Sequence, residues 1–255
     1  MSLKLARPLR LLLLGAPGAG KGTQTSKLLK VIPELKSVSS GDILRNELKS
    51  GTELGVLASK YIAQGRLIPD KVITQVLMSH LSNEGWLNPQ SSWLLDGFPR
   101  TENQALNLDK TLSQNNAMLN LVIELDVPEE VILERINNRY IHAASGRVYN
   151  LQYNPPKVPG KDDITGEPLV KRLDDNAQTF KRRMKEYKQT LGPIKEHYSK
   201  QGILVSVSGE TSDIIFPKLC RLINDHFGQK KDNGLPHDAF EKKQNYDAGR
   251  ITSRL

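Results

Sequence analysis

The sequence predicts a three-layer α/β fold, in which a parallel β-sheet is packed against helices on both faces. Three observations predict it. Short, continuous apolar runs recur along the chain, as expected for strands that are buried on both faces of a parallel sheet. Helical patterns separate these runs, and a glycine-rich turn joins the first run to the first helix. The 255 residues are enough for one such domain with insertions, or for two small domains.

The elements follow one another in strand–helix order. Strands are expected at 8–14, 92–95, 119–125 and 203–207. Helices are expected from 21 or 22 to about 30, at 71–81 and at 128–139. The last of these helices has Pro128 at its first position and two glutamates directly after it, and both features are favourable at a helix N-terminus. The alternation of strands and helices indicates a parallel sheet.

Two stretches, 39–68 and 138–175, break this alternation. The second contains several Pro and Gly turns and is too long for an ordinary connection, so it is either a functional lid or a disordered segment. We expect both stretches to be insertions into a core domain that spans 8–228. Residues 229–255 are polar with few apolar positions, and we expect them to be a disordered tail outside the fold.

Composition restricts the class of protein without choosing a function. Hydrophobic residues make up 38% and charged residues 25%, which is ordinary for a soluble globular protein. The net charge of +8 suits an anionic partner such as a nucleotide, a nucleic acid or an acidic membrane surface, although charge alone favours a merely basic soluble protein. Cys220 is the only cysteine, which excludes an internal disulfide. The longest apolar run, 11–14, is too short to cross a bilayer.

The beginning of the chain is basic. Lys4, Arg7 and Arg10 precede the first acidic residue, Glu34. Basic N-termini that lack acidic residues can direct a protein to mitochondria. Because a glycine-rich motif that the protein must keep begins at Gly15, any such signal would be short and uncleaved.

The strongest functional motif is the glycine-rich segment 15–23, GAPGAGKGT, which follows a predicted strand and opens a predicted helix. Glycines let the backbone wrap closely around phosphate oxygens, and a helix N-terminus favours the anion. Lys21 can then reach the β- and γ-phosphates, so the context favours a P-loop over a chance glycine-rich turn. Position 22 is Gly where the general pattern has Ser or Thr to hold Mg²⁺, and the hydroxyl follows at Thr23. We therefore expect magnesium to be held differently here.

A second motif, 93–101, places an acidic residue directly after an apolar strand. Ligands of α/β sheets bind at the carboxyl ends of the strands, so Asp96 is positioned to bind Mg²⁺, directly or through water. Arg100 can clamp a phosphate with its planar guanidinium. If this motif stood alone, an aspartate that merely ends a strand in a turn would be the better interpretation. Because the motif occurs together with a P-loop, a role in binding Mg²⁺ is the better interpretation.

Four further arginines suit phosphoryl transfer, which needs cations that converge on spread negative charge. Arg135 and Arg139 are four residues apart on one predicted helix and should share a face. Arg172 and Arg183 flank the end of the long insertion. A solvated basic face is the usual alternative for such residues.

Together these residues resemble the adenylate kinase family. The matching stretches are GAPGAGKGTQ, SSGDILR, GRLIP, DGFPRTENQ, RYIHAASGRVY and NPPKVPGKDDITGEPLVKR, which are spread over most of 8–228. The resemblance is greatest to the long-lid branch, especially its mitochondrial-matrix GTP:AMP phosphotransferases. It implies a three-layer P-loop kinase whose stretches 39–68 and 138–175 are the NMP-binding and LID insertions. It also implies Mg²⁺-dependent transfer to AMP, with GTP as the preferred donor and ITP or ATP as further donors. The enzyme would be a monomer in the mitochondrial matrix, with the cytoplasm as the alternative location.

The resemblance also implies site residues. The donor nucleotide would be held by Gly15, Ala16, Pro17, Gly18, Ala19, Gly20, Lys21, Gly22, Thr23, Arg135, Arg139, Val148, Tyr149 and Thr211. AMP would be held by Ser40, Arg45, Arg66, Leu67, Ile68, Gly97, Phe98, Pro99, Arg100, Gln104, Arg172 and Arg183, with Gln104 reading the adenine edge. The catalytic cations would be Lys21, Arg100, Arg135, Arg139, Arg172 and Arg183, and no side chain need act as a strong base.

The long insertion holds His142, Ser145, Asp162 and Thr165 at paired spacings where some relatives carry four cysteines and a zinc ion. The spacing favours a hydrogen-bonded tetrad over a lone surface histidine, and we expect no zinc. Three alternatives to the main interpretation remain: an ATP:AMP kinase, a kinase for another small acceptor such as UMP, CMP or shikimate, and a nucleotide-dependent RNA-binding protein prompted by the net charge. Gln104 argues for AMP, and an aromatic content of only 5% argues against RNA binding.

Overall fold

The computed structural model describes residues 2–64, 66–172 and 175–229. Its strands are β1 Arg10–Gly15, β2 Lys36–Ser39, β3 Trp93–Asp96, β4 Leu121–Asp126, β5 Arg139–His142, β6 Val148–Asn150, β7 Leu169–Val170 and β8 Leu204–Ser208. Its helices are α1 Lys21–Val31, α2 Ser40–Lys49, α3 Glu53–Gln64, α4 Asp70–Asn83, α5 Glu102–Gln114, α6 Glu129–Asn137, α7 Ala177–Lys200 and α8 Ser212–Phe227. None of the described helices combines the length and the apolar character needed to cross a membrane.

The core is a five-stranded parallel sheet with the strand order β2-β3-β1-β4-β8. Its central strand explains why the apolar run 11–14 is continuous. Leu11 and Leu13 join the hydrophobic cluster on one face of the sheet, whereas Leu12 and Leu14 join the cluster on the other. Full burial of such a side chain contributes about 1.5–3 kcal/mol, so the strand is stabilised from both sides.

Helices cover both faces and complete three layers. The first cluster takes residues from α1, α6 and α8, and the second takes residues from α4 and α5. Helix α7 crosses between the two, because Phe180 and Met184 pack in the first cluster and Ile194 and Tyr198 in the second. The predicted three-layer α/β fold is therefore confirmed.

The two stretches that interrupt the alternation are structured. Stretch 39–68 contains α2 and α3, and stretch 138–175 contains a three-stranded antiparallel sheet of order β6-β5-β7. We call the second stretch the lid. The division into a core and two insertions stays a prediction, and the predicted tail lies outside the described residues apart from Gln229.

Two sequence-based expectations about secondary structure were wrong. Strand β2 was missed because its four residues, KSVS, include a single buried apolar side chain, Val38. The helix predicted at 128–139 ends at Asn137, and Arg139 begins β5 instead. Two consecutive asparagines are poor helix formers and stop the helix there, so Arg135 and Arg139 do not share a helical face.

Candidate active site

The P-loop lies between β1 and α1, at the carboxyl edge of the sheet. Gly18 and Gly20 have φ angles of +88° and +97°, in the left-handed region that favours glycine. A Cβ on Gly18 would come within 2.8 Å of Ile132 Cγ2, so a side chain there is excluded by packing as well. Gly20 caps α1 without a side-chain hydrogen bond, which leaves the first backbone N–H groups of the helix for an anion.

Lys21 is held by the loop that it follows. Its ammonium donates hydrogen bonds to Gly15 O at 2.7 Å and Ala16 O at 3.1 Å. Burial lowers the pKa of Lys21 to about 8, and the nearby charge of Asp96 opposes that shift. The positive charges of three further residues also lower it, which places these cations around Lys21: Arg100, Arg183 and Arg139. Four of the six cations expected from the sequence therefore lie within electrostatic reach of one another, while Arg135 and Arg172 are not among them.

Asp96 ends β3 beside the P-loop. Burial raises the pKa of its carboxyl, while Lys21 and then Arg100 act in the opposite direction. The Cβ that Gly22 lacks would lie 3.9 Å from Asp96 Oδ2, so the carboxylate faces the start of α1 across a space that no side chain fills. A carboxylate oxygen next to a phosphate cradle is a donor set that suits Mg²⁺. The residues present therefore fit a magnesium ion that is bound together with a nucleotide.

A second group of polar side chains surrounds Gly97, directly after β3. Ser40 Oγ donates to Gly97 O at 2.7 Å, and Arg100 Nε donates to the same oxygen at 2.6 Å. Gly97 has a φ of +77°, and a Cβ there would lie 3.0 Å from Ser40 Oγ. Arg45, one turn along α2, forms an ion pair with Asp42. Strand β3 thus delivers Asp96 to the site, and the segment directly after it brings Arg100 to the oxygen of Gly97 that Ser40 of α2 also contacts.

One cavity, partly open to solvent, joins the P-loop to this second group. The predicted site residues that line it are Gly15, Pro17, Lys21, Ser40, Arg45, Arg66, Leu67, Ile68, Gly97, Phe98, Pro99, Arg100, Gln104 and Arg183. The predicted site residues that do not line it are Ala16, Gly18, Ala19, Gly20, Gly22, Thr23, Asp96, Arg135, Arg139, Val148, Tyr149, Arg172 and Thr211. The acceptor residues therefore come together, with the exception of Arg172.

Sequence analysis missed one wall of this cavity. Helix α7 contributes Tyr187, Thr190, Leu191 and Ile194 in addition to the predicted Arg183. Their spacing of three to four residues is that of one helical face. This spacing is the signal that could have identified the wall before the structure was known.

The predicted donor residues lie around the far side of the P-loop. Arg135 donates to Ala19 O at 2.9 Å and to Glu210 O at 2.7 Å, which ties the loop to the segment before α8. Thr211 caps α8 by accepting from Ile214 N at 3.3 Å. Arg139 forms a two-point ion pair with Asp175, with Nε and Oδ2 2.8 Å apart. Arg135 thus reaches the P-loop from α6, whereas Arg139 reaches the site from the lid.

The side chain of Tyr149, which was expected beside the donor nucleotide, points into the interior of the lid. The ring is buried in the lid, where its hydroxyl donates to Asp162 Oδ1 at 2.9 Å and accepts from Asp163 N at 2.8 Å. Its neighbour Val148 is exposed, because successive residues of β6 point to opposite faces.

The four lid residues His142, Ser145, Asp162 and Thr165 form one network. His142 Nδ1 lies 2.7 Å from Ser145 Oγ, Thr165 Oγ1 donates to Asp162 Oδ2 at 3.0 Å, and Thr165 Oγ1 lies 3.4 Å from His142 Nε2. The network also includes two residues that sequence analysis missed. Arg147 donates to both oxygens of Asp162, and Glu167 contacts His142 Nε2.

A P-loop that faces converging arginines across one cavity, at the carboxyl edge of a parallel sheet, defines a phosphotransferase that acts on nucleotides. The family model described as adenylate kinase matches residues 13–203, and the chain belongs to that family.

Named relatives of the chain are similar over most of its length. The mitochondrial GTP:AMP phosphotransferase of Saccharomyces cerevisiae is 67% identical over 224 residues, which cover 88% of this chain and 96% of the relative. A second Saccharomyces cerevisiae sequence of that name is 68% identical over 212 residues, which cover 83% and 94%. The Drosophila melanogaster protein of that name is 41% identical over 216 residues, which cover 85% and 95%.

Proposed function

We propose that this chain is a GTP:AMP phosphotransferase, which transfers the terminal phosphoryl group of GTP to AMP. The observation that carries the proposal is the single cavity that joins the P-loop to an arginine-lined pocket ending in Gln104. The names of the similar proteins supply the identity of the two nucleotides. ITP and ATP would be weaker donors at the same site.

Residues 15–23 would hold the donor phosphates, with Arg135 and Arg139 beside them and Thr211 and Val148 near the donor base. The pocket formed by Ser40, Arg45, 66–68, 97–100 and Gln104 would hold AMP. The hydrogen bonds that fix Arg100 and Ser40 on Gly97 O support this assignment, because they set the acceptor phosphate clamp before any ligand binds. Arg172 and Arg183 would reach the phosphates from the lid side.

Catalysis would come from alignment and charge. Transfer of a phosphoryl group needs little covalent chemistry from the protein, so in-line placement of the two nucleotides and cations around the transferred group account for most of the rate. The positive charges of Arg100, Arg183 and Arg139 all act on Lys21, which supports a shared role for these four cations. Asp96 would hold Mg²⁺ directly or through water, and the ion would neutralise charge on the donor phosphates.

Stretch 39–68 and the lid would close over acceptor and donor. Lys49, at the end of α2, donates a hydrogen bond to Ala143 O in the lid, so the two segments are in contact. Such contact excludes water, which would otherwise accept the phosphoryl group. A monomer is sufficient for this arrangement, and neither a membrane nor a nucleic acid is needed.

A coupled assay with GTP, ITP and ATP as donors tests the function. With AMP as acceptor, kcat/KM for GTP should exceed that for ATP by about tenfold, the effect of one or two hydrogen bonds to the donor base. CMP and UMP serve as control acceptors and should be poor, and a chelator of Mg²⁺ should abolish turnover. A higher kcat/KM with ATP would instead indicate an ATP:AMP kinase.

We propose the mitochondrial matrix as the location, with an N-terminus that is retained. The first residues belong to the fold: Leu3 is buried, its N–H donates to Val31 O at 2.7 Å, and Ala6 N–H donates to Phe227 O at 2.7 Å. Cleavage beyond these residues would remove their contacts. In fractionated cells the protein should resist protease until the inner membrane is opened, and its mass should include residues 2–7. Recovery in the cytosol only, or loss of these residues, would contradict the proposal.

A further inference from the structure

The amide of Gln104 is held by protein at both of its polar atoms. Its oxygen accepts a hydrogen bond from Arg100 N at 2.7 Å, and its nitrogen donates to Asp70 Oδ1 at 2.6 Å. The side chain is buried, with 2% of its surface exposed, and it lines the cavity. Asp70 is the first residue of α4 and was not among the residues predicted for the site.

These two partners determine which way the amide faces. A backbone N–H can only donate and a carboxylate can only accept, so the oxygen must face Arg100 and the nitrogen must face Asp70. Turning the amide over would place donor against donor at one end and acceptor against acceptor at the other. The donor and acceptor character of these two partners therefore fixes which end of the amide is oxygen and which is nitrogen.

Asp70 is itself fixed by a third residue. Its other oxygen, Oδ2, accepts from Thr101 Oγ1 at 2.7 Å, and Thr101 Oγ1 accepts from Gln104 N at 3.2 Å as the cap of α5. The carboxylate thus links the first turn of α4 to the first turn of α5. Both of its oxygens are used, which holds the acceptor for Gln104 in one place.

A primary amide has two hydrogens and two oxygen lone pairs, and Gln104 uses one of each on the described protein. One donor and one acceptor are left, in a fixed order. A 6-aminopurine presents a donor at N6 and an acceptor at N1, whereas a 6-oxopurine of almost the same shape presents an acceptor at O6 and a donor at N1. An amide held in one orientation can therefore form both hydrogen bonds with only one of these two purine edges. An amide that is free to turn over can form both hydrogen bonds with either edge.

We propose that Asp70 is a positioning residue that sets the acceptor specificity: by fixing the amide of Gln104, it makes the site accept a 6-aminopurine monophosphate and reject its 6-oxo counterpart. This inference rests on the proposed function, in which AMP is the acceptor. Asp70 acts through Gln104 and need not touch the nucleotide.

The test compares AMP with inosine monophosphate as acceptors, using GTP as donor, in wild type and two variants. Asp70→Ala should raise KM for AMP by about tenfold with little change in kcat, and should narrow the AMP-to-IMP ratio of kcat/KM by a similar factor, since one charge-assisted hydrogen bond is lost. Asp70→Asn keeps an oxygen for Gln104 and can donate to Thr101, so its ratio should stay near that of wild type.

A merely structural role would give a different pattern. Both variants remove a negative charge from a helix N-terminus, so an effect through helix stability would lower the melting temperature of both alike and leave the ratio unchanged. Glu130→Ala, which removes an exposed first-turn acid from α6, is the matched control and should leave the ratio unchanged. If Asp70→Ala does not fold, Asp70→Ser takes its place, because serine is accepted at a helix start and is too short to reach Gln104.

The outcomes separate the inference from the function on which it rests. Wild-type protein that does not phosphorylate AMP would overturn the proposed function and the role of Asp70 with it. Wild-type activity on AMP together with an unchanged AMP-to-IMP ratio in Asp70→Ala would overturn the positioning role alone. The positioning role is supported if the AMP-to-IMP ratio of kcat/KM is smaller in Asp70→Ala than in wild type and close to that of wild type in Asp70→Asn.

Discussion

Replacement of Lys21 by methionine should lower kcat by about 10²–10³-fold, the effect seen when one preorganised donor is removed from a site of developing charge. The ammonium is hydrogen-bonded to the loop that would hold the donor phosphates, and it feels the charges of Arg100, Arg183 and Arg139. Methionine keeps the length of the side chain and removes the charge. KM for AMP should change little, because the acceptor pocket is built from other residues.

The same substitution should not weaken the fold at neutral pH. Lys21 has a pKa of about 8 in the folded protein and close to its ordinary value of 10.5 when unfolded, so between these values the unfolded chain binds more protons. The contribution of Lys21 to the free energy of unfolding of wild type therefore becomes more favourable as the pH rises from about 8 to 10. At pH 7 the buried charged form of Lys21 destabilises the folded protein. The melting temperature of Lys21→Met should equal or exceed that of wild type at pH 7, and its advantage should shrink towards pH 10.

Steady-state kinetics and thermal melts at pH 7 and pH 10 measure both effects. Lys30→Met is the matched control, because Lys30 is an exposed lysine of the same helix. It should behave as wild type in both measurements. Near-normal turnover in Lys21→Met would remove the P-loop lysine from the mechanism.

The phosphate loop could be predicted from the sequence because all of its functional residues are neighbours in the chain. The strand, the turn glycines and the lysine occupy one short segment, and each adopts the conformation that its own residues favour. The three-layer fold could be predicted for a similar reason: the apolar run 11–14 is continuous because both faces of β1 are covered, and this pattern is local.

Features that depend on contacts between distant segments could not be predicted in the same way. Asp70 is 34 positions from Gln104, and nothing in its own neighbourhood indicates that its carboxylate fixes that amide. Arg139 was placed on a helix because its spacing from Arg135 fits one, although two asparagines between them end α6. In the lid the paired spacings identified four members of the network. Arg147 and Glu167 stand at no such spacing, and only the folded structure shows that they contact Asp162 and His142.

Replacement of Asp162 by alanine should disable the lid. Arg147 donates to this carboxylate from Nε at 2.8 Å and from Nη2 at 2.6 Å, and the backbone N–H groups of Ile164 and Thr165 donate to it at 3.1 and 2.9 Å. The bonds from Arg147, ahead of the other donors, hold the pKa of Asp162 well below its usual range. Its stabilising effect is therefore complete at neutral pH and is lost progressively as the pH falls below 3.8, the ordinary pKa of an aspartate, which the unfolded chain would have.

Removal of the Asp162 carboxylate leaves the guanidinium of Arg147, the hydroxyl of Tyr149 and the backbone N–H of Thr165 without their acceptor. Here the cost falls on a short antiparallel sheet outside the main core, so the lid should open locally while the five-stranded sheet stays folded. If turnover requires a closed lid, kcat/KM should fall by about tenfold or more, the effect of losing at least one charge-assisted hydrogen bond. Hydrogen exchange should show lost protection in β5 and β6 and unchanged protection in β1 and β4. Asp163→Ala is the control, because this exposed neighbour accepts one hydrogen bond, from Lys157 N at 2.7 Å.

The same contacts predict that the lid is stable without zinc. Asp162 would have to give up hydrogen bonds from Arg147, Tyr149 and Thr165 to bind a metal, and both ring nitrogens of His142 already have partners. The remaining two residues of the tetrad offer only hydroxyls, which are not among the usual zinc ligands. Protein treated with a chelator and resupplied with Mg²⁺ should keep its melting temperature and its kcat, and elemental analysis should find no stoichiometric zinc. One zinc ion retained per chain, or a melting temperature that falls on chelation, would mean that the hydrogen bonds of Asp162 are not what holds the lid together.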